Sequence, residues 1–380
     1  MKILKIAGLT ILFLIGIAFA APFVFKGKLL ELAKKQINKN SKAKTDFTDL
    51  DISFFRSFPK VSVALINPQI TGTGEFIADT LFSAKKIDIA VDMISVIKGS
   101  VYKIYSIKVT DPRIHAVVHK NGNANWNITE TAEGTTPTAS KPFSLNLENY
   151  SIKNGFVEYR DEQGNMEMKL ENLDHEGSGN FNSETFTLKT KSTAGAVSFR
   201  YGAIPFLLNT KTSIDADIQI DNNQNKYSFK TDKVSLNDMK LNLEGFFQLV
   251  NDSIYKMNIS FNTPSSTFKN ILSLVPAIYQ KDFSSVQTSG EASLKGYVKG
   301  EYSKSSLPAY GLDVNIQNGY FKYPDLPKPV KNINLGISIN NPDGVTDHTV
   351  INIPKAHLEL DQNPFDFRLL LKNPVSNPFI

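Results

Sequence analysis

From residue 61 to the end of the chain, apolar and polar residues alternate with a period of two. Val61, Val63 and Leu65 alternate with Ser62, Ala64 and Ile66, and Ile87, Ile89, Val91 and Met93 with Asp88, Ala90 and Asp92. Ile214, Ala216, Ile218 and Ile220 alternate with Asp215, Asp217 and Gln219. Leu312, Val314 and Ile316 alternate with Asp313, Asn315 and Gln317, and Ile333, Leu335, Ile337 and Ile339 with Asn334, Gly336 and Ser338. Phe365, Phe367, Leu369 and Leu371 close the series. Successive side chains of a strand point to opposite faces, so this period predicts strands with one dry and one wet face. The chain yields roughly fifteen such strands, antiparallel where connections are short. Asn121-Gly122, Asn154-Gly155 and Asn318-Gly319 read as turns between them.

Helical periodicity is scarce. Residues 266–280 carry Phe268, Ile271, Leu272, Val275 and Tyr279 on one stripe, and Pro276 is expected to kink or end that helix. A short helical turn is predicted near residues 92–98. Residues 129–142 (TETAEGTTPTASKP) have no periodicity and read as a flexible linker.

Residues 6–25 break the alternation. Thr10 is their only polar side chain, and Ile6, Leu9, Leu12, Phe13, Ile15, Phe19, Phe23 and Phe25 cover every face. At 1.5 Å per residue such a helix is roughly 30 Å long, the thickness of a bilayer core, so residues 1–25 read as a transmembrane anchor. The competing reading is a cleaved signal peptide, because Ala18-Phe19-Ala20 has the small-x-small pattern of a processing site. Residues 26–44 read as a basic juxtamembrane helix with Leu29, Ala33 and Ile37 on one stripe. Seven Lys follow the apolar segment and two precede it, which by the positive-inside rule alone places the body in the cytoplasm.

The net charge of +5 is unevenly spread. Residues 1–44 hold nine Lys and one Glu, or +8, leaving −3 on the other 336 residues. A body of that balance is not expected to bind nucleic acid. With no Cys, disulfide scaffolds, Cys-ligated metals and Cys nucleophiles are excluded. His115 and His119 share a strand but stand roughly 13 Å apart, too far to ligate one metal. Asp215, Asp217 and Asp221 read as a solvated strand face rather than a calcium loop. No G-x-S-x-G, P-loop or H-E-x-x-H motif occurs. The expectation is a protein without catalytic residues, cofactor or metal.

Two local patterns read as structural. Phe58-Pro59 is a rigid entry into the strand beginning at Val61. Residues 120–128 (KNGNANWNI) form a turn at Gly122, with Trp126, the single tryptophan, expected to plug one end of the sheet.

An ordered set of segments resembles the AsmA family of bacterial envelope proteins. The set runs from the apolar residues 6–25 through 51–59 (DISFFRSFP), 87–99 (IDIAVDMISVIKG), 107–114 (IKVTDPRI) and the Gly122-x-x-Asn125-Trp126 turn. Residues 272–276 (LSLVP) and 289–296 (SGEASLKG) resemble the family's later body. The resemblance implies an inner-membrane anchor with the body in the periplasm, against the Lys count. It also implies a role in outer-membrane assembly and phospholipid movement, through a long β-groove like that of bridge-like lipid transfer proteins. Members are often longer, and residues 369–380 follow straight after a strong strand, so C-terminal truncation is one reading of the chain.

The expected fold is therefore mainly β: an N-terminal transmembrane helix, then an elongated, curled antiparallel sheet, groove-like, with few helices. Residues 45–128 would form an AsmA-like N-terminal β region, 129–142 a linker, and 143–380 a continuing β-groove. Alternation alone favours a sheet that buries its dry face on itself, whereas the resemblance favours an open groove for phospholipid acyl chains. Its lining would be Val61, Val63, Leu65, Ile87, Ile89, Val91, Ile214, Ile218, Ile220, Ile333, Leu335, Ile337, Ile339 and Phe367. The rival function is a scaffold or regulator that binds outer-membrane assembly proteins through exposed strand edges.

Overall fold

The computed structural model describes residues 26–39, 41–57, 60–77, 79–92, 104–128, 147–251, 253–264, 266–274, 286–303, 305–323 and 327–380. The expected anchor (residues 1–25), Phe58 and Pro59, most of the helical turn at 92–98, the linker 129–142 and residues 275–280 lie outside the described residues. Among those described, no helix is long and apolar enough to cross a membrane. The chain divides into two compact bodies, Met1–Glu176 and Gly177–Ile380.

The first body opens with helix α1 (Lys26–Asn38). Its end is pinned to the first strand through one side chain. The Asn38 amide donates to the carbonyls of Lys34 and Thr45 at 2.9 and 2.8 Å, and accepts from the Thr45 amide at 2.7 Å. Lys34 pairs with Asp46 at 2.5 Å. That hydrogen bond, with one from the Phe47 amide, holds the Asp46 carboxyl below its ordinary value.

Eight strands follow: β1 (Lys44–Asp46), β2 (Asp49–Ser57), β3 (Lys60–Ile66), β4 (Gln69–Thr71), β5 (Thr80–Ser83), β6 (Lys86–Asp92), β7 (Ile104–Thr110) and β8 (Arg113–Val118). They are four long strands, each broken once. β1/β2 pairs with β3/β4, β3 with β6, β4 with β5, β6 with β7 and β5 with β8. At the breaks the ladder continues through Thr48 N to Ile66 O (2.9 Å), Asn67 N to Lys85 O (3.0 Å) and Lys85 N to Thr110 O (3.1 Å). The breaks are therefore one shared corner running across the strands. Asn67 and Asp111 sit there at φ 48° and 51°, the left-handed region that Asn and Asp tolerate best. Each is followed by a proline, which cannot donate to a ladder, and Phe47 and Pro112 are fully buried at the corner.

β9 (Asn149–Asp161) joins parallel to both β7 and β8 along one edge and antiparallel to β10 (Met166–Ser178). The sequence predicts antiparallel pairing where connections are short, and the connection from β8 to β9 is long. The two parallel pairings arise because β8 reaches β9 through a crossover connection rather than a hairpin. The Asn154-Gly155 dipeptide departs from expectation. It is not a turn but the corner within β9, with Asn154 at φ 53° and its side chain donating to Asp111 at 2.6 Å. The Asn121-Gly122 turn does form, with Gly122 at φ 84° and the Asn121 and Asn123 amides held by the Glu75 carboxylate.

The second body is an antiparallel meander: β11 (Thr185–Tyr201), β12 (Ile204–Asp221), β13 (Lys226–Leu236), β14 (Met239–Asn251), β15 (Ile254–Asn262), β16 (Ser266–Thr267), β17 (Gln287–Tyr302), β18 (Ala309–Lys322), β19 (Val330–Asn341), β20 (Val350–Leu360) and β21 (Asn363–Lys372). Pairing runs β11–β12–β13–β14–β15–β17–β18–β19–β20–β21, and among the described residues its ends do not join. The meander is open. Asn318-Gly319 is again no turn: Asn318 (φ 50°) makes an irregularity inside β18. Helix α2 (Phe268–Leu272) begins two residues later than expected, because Ser266 and Thr267 pair with β17 and Thr267 caps the helix. Phe268 and Ile271 meet Val234, Met239, Leu241, Ala292 and Ile316 in the main apolar cluster.

Asn125 ties the 120–128 turn to the first body. It is 3% exposed, accepts from the Val117 amide (3.0 Å) and donates to the His115 carbonyl (2.7 Å). Asn125→Ala leaves both buried groups unpaired and is expected to cost about 1–3 kcal/mol, read as a lower melting temperature. Asn127→Ala, at an exposed neighbour, is expected to stay within about 0.5 kcal/mol of wild type.

Candidate functional site

Cross-strand register turns the alternating residues into rungs. In the first body one rung runs Leu50–Leu65–Ile87–Val109–Ile152, and the next Ile52–Val63–Ile89–Ile107–Tyr150. A third, Val61–Val91–Ile104, lies beside them. Directly opposed side chains sit about 5 Å apart, so each rung is a continuous apolar strip. Val61 and Val91 are buried, whereas Val63, Leu65, Ile87, Ile89, Ile107, Val109 and Ile152 are only half-buried. The small residues of the opposite face, Ser62, Ala64 and Ala90, are buried instead. The larger apolar side chains are thus flanked by their neighbours but incompletely covered.

The second body repeats the arrangement. One rung crosses seven strands as Leu188–Ile218–Phe229–Gly245–Ile259–Val298–Tyr310. Another runs Phe186–Ile220–Tyr227–Phe247–Met257. Farther along, Leu312–Ile339–Ile351–Leu371 and Ile316–Leu335–Ala356–Phe367 cross β18 to β21. Gly245 lies in its rung at φ 143°, where an added Cβ would stand 2.0 Å from the Asn258 carbonyl oxygen, so only glycine lets the neighbouring strand approach. The reverse face carries charge: Lys233 with Asp215, Lys230 with Glu244 and Lys295 with Asp313, all well exposed and worth little individually.

Helix α2 covers part of this face. Ile214, Ile333 and Leu335 pack against its cluster, and Ile220 is buried in its own rung. Ile218, Ile337, Ile339 and Phe367 are half-buried, and a concavity of about 570 Å³ opens beside Leu294, Val314 and Ile337. Of the expected lining residues, Val61, Val63, Leu65, Ile87, Ile89 and Val91 lie on the rungs of the first body and Ile218, Ile220, Leu335, Ile339 and Phe367 on those of the second, whereas Ile214, Ile333 and Ile337 lie on none of them and Ile333 stands opposite Gly319. Ile107, Ile152, Phe229, Ile259 and Val298 complete the rungs and were not anticipated. Their strands alternate too, but only register shows which residues share a strip.

The expected structural residues divide. Gly122 makes its turn. Trp126 is 41% exposed and lies against Tyr159 with ring centroids 6.0 Å apart, while its neighbour Asn125 fills the buried position. His115 lies near Glu158 of β9 (3.1 Å), whereas His119 stands one residue past the end of β8, off the strand the two were expected to share, near Glu162 in the turn after β9 (3.5 Å). Burial acts to raise Glu158, but hydrogen bonds from His115 and Lys169 outweigh it and leave the carboxyl below its ordinary value. No cluster able to hold a metal occurs among the described residues.

His175 lies 3.0 Å from the Tyr150 hydroxyl at the end of the Ile52–Tyr150 rung. Burial lowers the imidazole's affinity for a proton, against the pull of Glu176, and raises Tyr150. The unfolded imidazole binds its proton near pH 6.5 and the folded one only at lower pH. Between those values the unfolded chain holds more protons, so stability falls as pH drops below about 6.5. His175→Gln is expected to flatten the decline in melting temperature between about pH 7 and pH 5. An unchanged profile would contradict the assignment.

A sequence model of the AsmA family matches residues 1–204. No curated protein matches the chain.

Proposed function

The chain belongs to the AsmA family, and from that premise we propose that it is an envelope protein that binds phospholipid acyl chains along its apolar strand faces. Residues 6–25 would anchor it in the inner membrane, with the body in the periplasm and outer-membrane assembly as the process it supports. The observation that carries the reading is the state of the rungs: in-register apolar strips many strands long, with Ile218, Phe229, Ile259 and Val298 half-buried. Water is a poor covering for such a surface, whereas an acyl chain is a good one.

The mechanism would be passive. Burial of apolar area gains roughly 25 cal/mol per Å², so a chain of some sixteen carbons gains on the order of 10 kcal/mol. Successive rungs offer chemically similar neighbours, so the gain changes little from rung to rung and the lipid meets no deep trap. The charged reverse face keeps the protein wetted. No residue in this mechanism makes or breaks a bond.

A scaffold that recruits partners by strand addition is the second reading, favoured by β21. Its outer edge is bridged to residue 379 at Lys372, and Phe365 and Leu370 on it are exposed.

Photo-crosslinking separates the two. With benzoylphenylalanine at Ile218 or Ile337 in cells, the lipid reading predicts a phospholipid adduct by mass spectrometry. The same group at Lys230 or Asp217, on the wet face, is expected to give none. Adducts only to protein, or equal adducts from both faces, would remove the lipid reading.

A further inference from the structure

We propose that the tip of the β11–β12 hairpin docks onto an anionic phospholipid bilayer. These are the longest strands among the described residues, 17 and 18 residues. Pairing of β12 with β13 ends at Thr212 with Leu236, closed by bonds between Lys211 and Asn237. Residues 204–210 continue past that point, paired to β11 through three register irregularities between Ala194 and Arg200. At about 3.3 Å per residue the tip reaches roughly 20 Å beyond β13.

What the tip presents is unusual for a hairpin end. Tyr201, Ile204 and Phe206 are 51%, 59% and 50% exposed around Gly202. Phe199 and Phe206 lie against each other with ring centroids 5.9 Å apart. The turn at the opposite end of β12 is built from Asn222, Asn223, Gln224 and Asn225 and is polar throughout. The same strand therefore ends in two chemically different tips.

Charge identifies the partner. Residues 192–214 contain Arg200 and Lys211 and no Asp or Glu, a local +2 about the tip, whereas Lys189 and Lys191 farther down β11 stand opposite Asp217 and Asp215. The acidic residues resume at Asp215. An apolar wedge flanked by cations matches the interface of an anionic bilayer, where aromatic rings settle at headgroup depth and Lys and Arg meet phosphate. An acidic protein would match the charge but would not require three exposed apolar side chains on a projecting turn. The contact is distinct from acyl binding on the rungs, and either can hold without the other.

The chain has no cysteine, so a single introduced one reports cleanly. Full-length Ala203→Cys carrying an environment-sensitive fluorophore is held in phosphatidylcholine nanodiscs, which satisfy any N-terminal anchor. Vesicles of phosphatidylcholine, alone or mixed with phosphatidylglycerol, are then added. The expected result is a blue shift and severalfold brighter emission with the mixed vesicles only, suppressed at 1 M salt, where the Debye length is about 3 Å. The Tyr201→Ser, Ile204→Ser, Phe206→Ser combination is expected to abolish the response with folding unchanged by circular dichroism. Arg200→Gln with Lys211→Gln, which spares the apolar tip, is expected to weaken it severalfold. A label on Asn223→Cys at the other end should stay in water. An unmoved Ala203 label, an equal response at residue 223, or a shift caused by soluble polyglutamate but not by vesicles would overturn the proposal.

Discussion

A sheet whose strands alternate strictly must dispose of one apolar face, and in this protein that constraint governs everything else. Backbone pairing is satisfied within the strands, so the remaining energetic problem is side-chain area. In the second body helix α2 spans only Phe268–Leu272 and shelters the cluster around Val234, Met239 and Leu241. Beyond it the described residues leave Ile218, Phe229, Ile259 and Val298 half-buried. Burial is worth roughly 25 cal/mol per Å², so strips of this length leave a large gain unrealised in water. The proposed lipid binding is the response that matches this chemistry.

The first body shows how backbone chemistry shapes such a surface. Its strands β1–β9 are five lines that cross one corner. The corner works because Asn67, Asp111 and Asn154 accept left-handed backbone conformations, two of them before a proline that cannot extend the ladder. Segment 107–114 contains one of these bends, at Asp111. Asn125 plays the matching role in the 120–128 turn, replacing two backbone partners with one side chain.

Much of this was legible in the sequence. Period-two alternation identified the strands near Val61, Ile87, Ile214, Ile333 and Phe367, but it did not show that in the first body Ser62, Ala64 and Ala90 of the opposite face are the buried ones. Bends were not legible, because Asn-Gly has the same chemistry whether it closes a hairpin, as at Gly122, or kinks a strand, as at residues 154–155 and 318–319. Parallel pairing of β9 was hidden for a different reason. Partner choice across a long crossover depends on the whole sheet, not on local pattern. Register, which assembles Ile218, Phe229, Ile259 and Val298 into one strip, is likewise a relation among strands that no single strand encodes.

The central claim is that the half-buried rungs are covered by lipid rather than by protein or water. Isoleucine methyl NMR on the full chain in nanodiscs tests it at the atoms concerned. Nuclear Overhauser contacts from the δ-methyls of Ile218, Ile259 and Ile337 to acyl methylene protons are the predicted result. Contacts from those methyls to protein side chains and water alone would contradict the account.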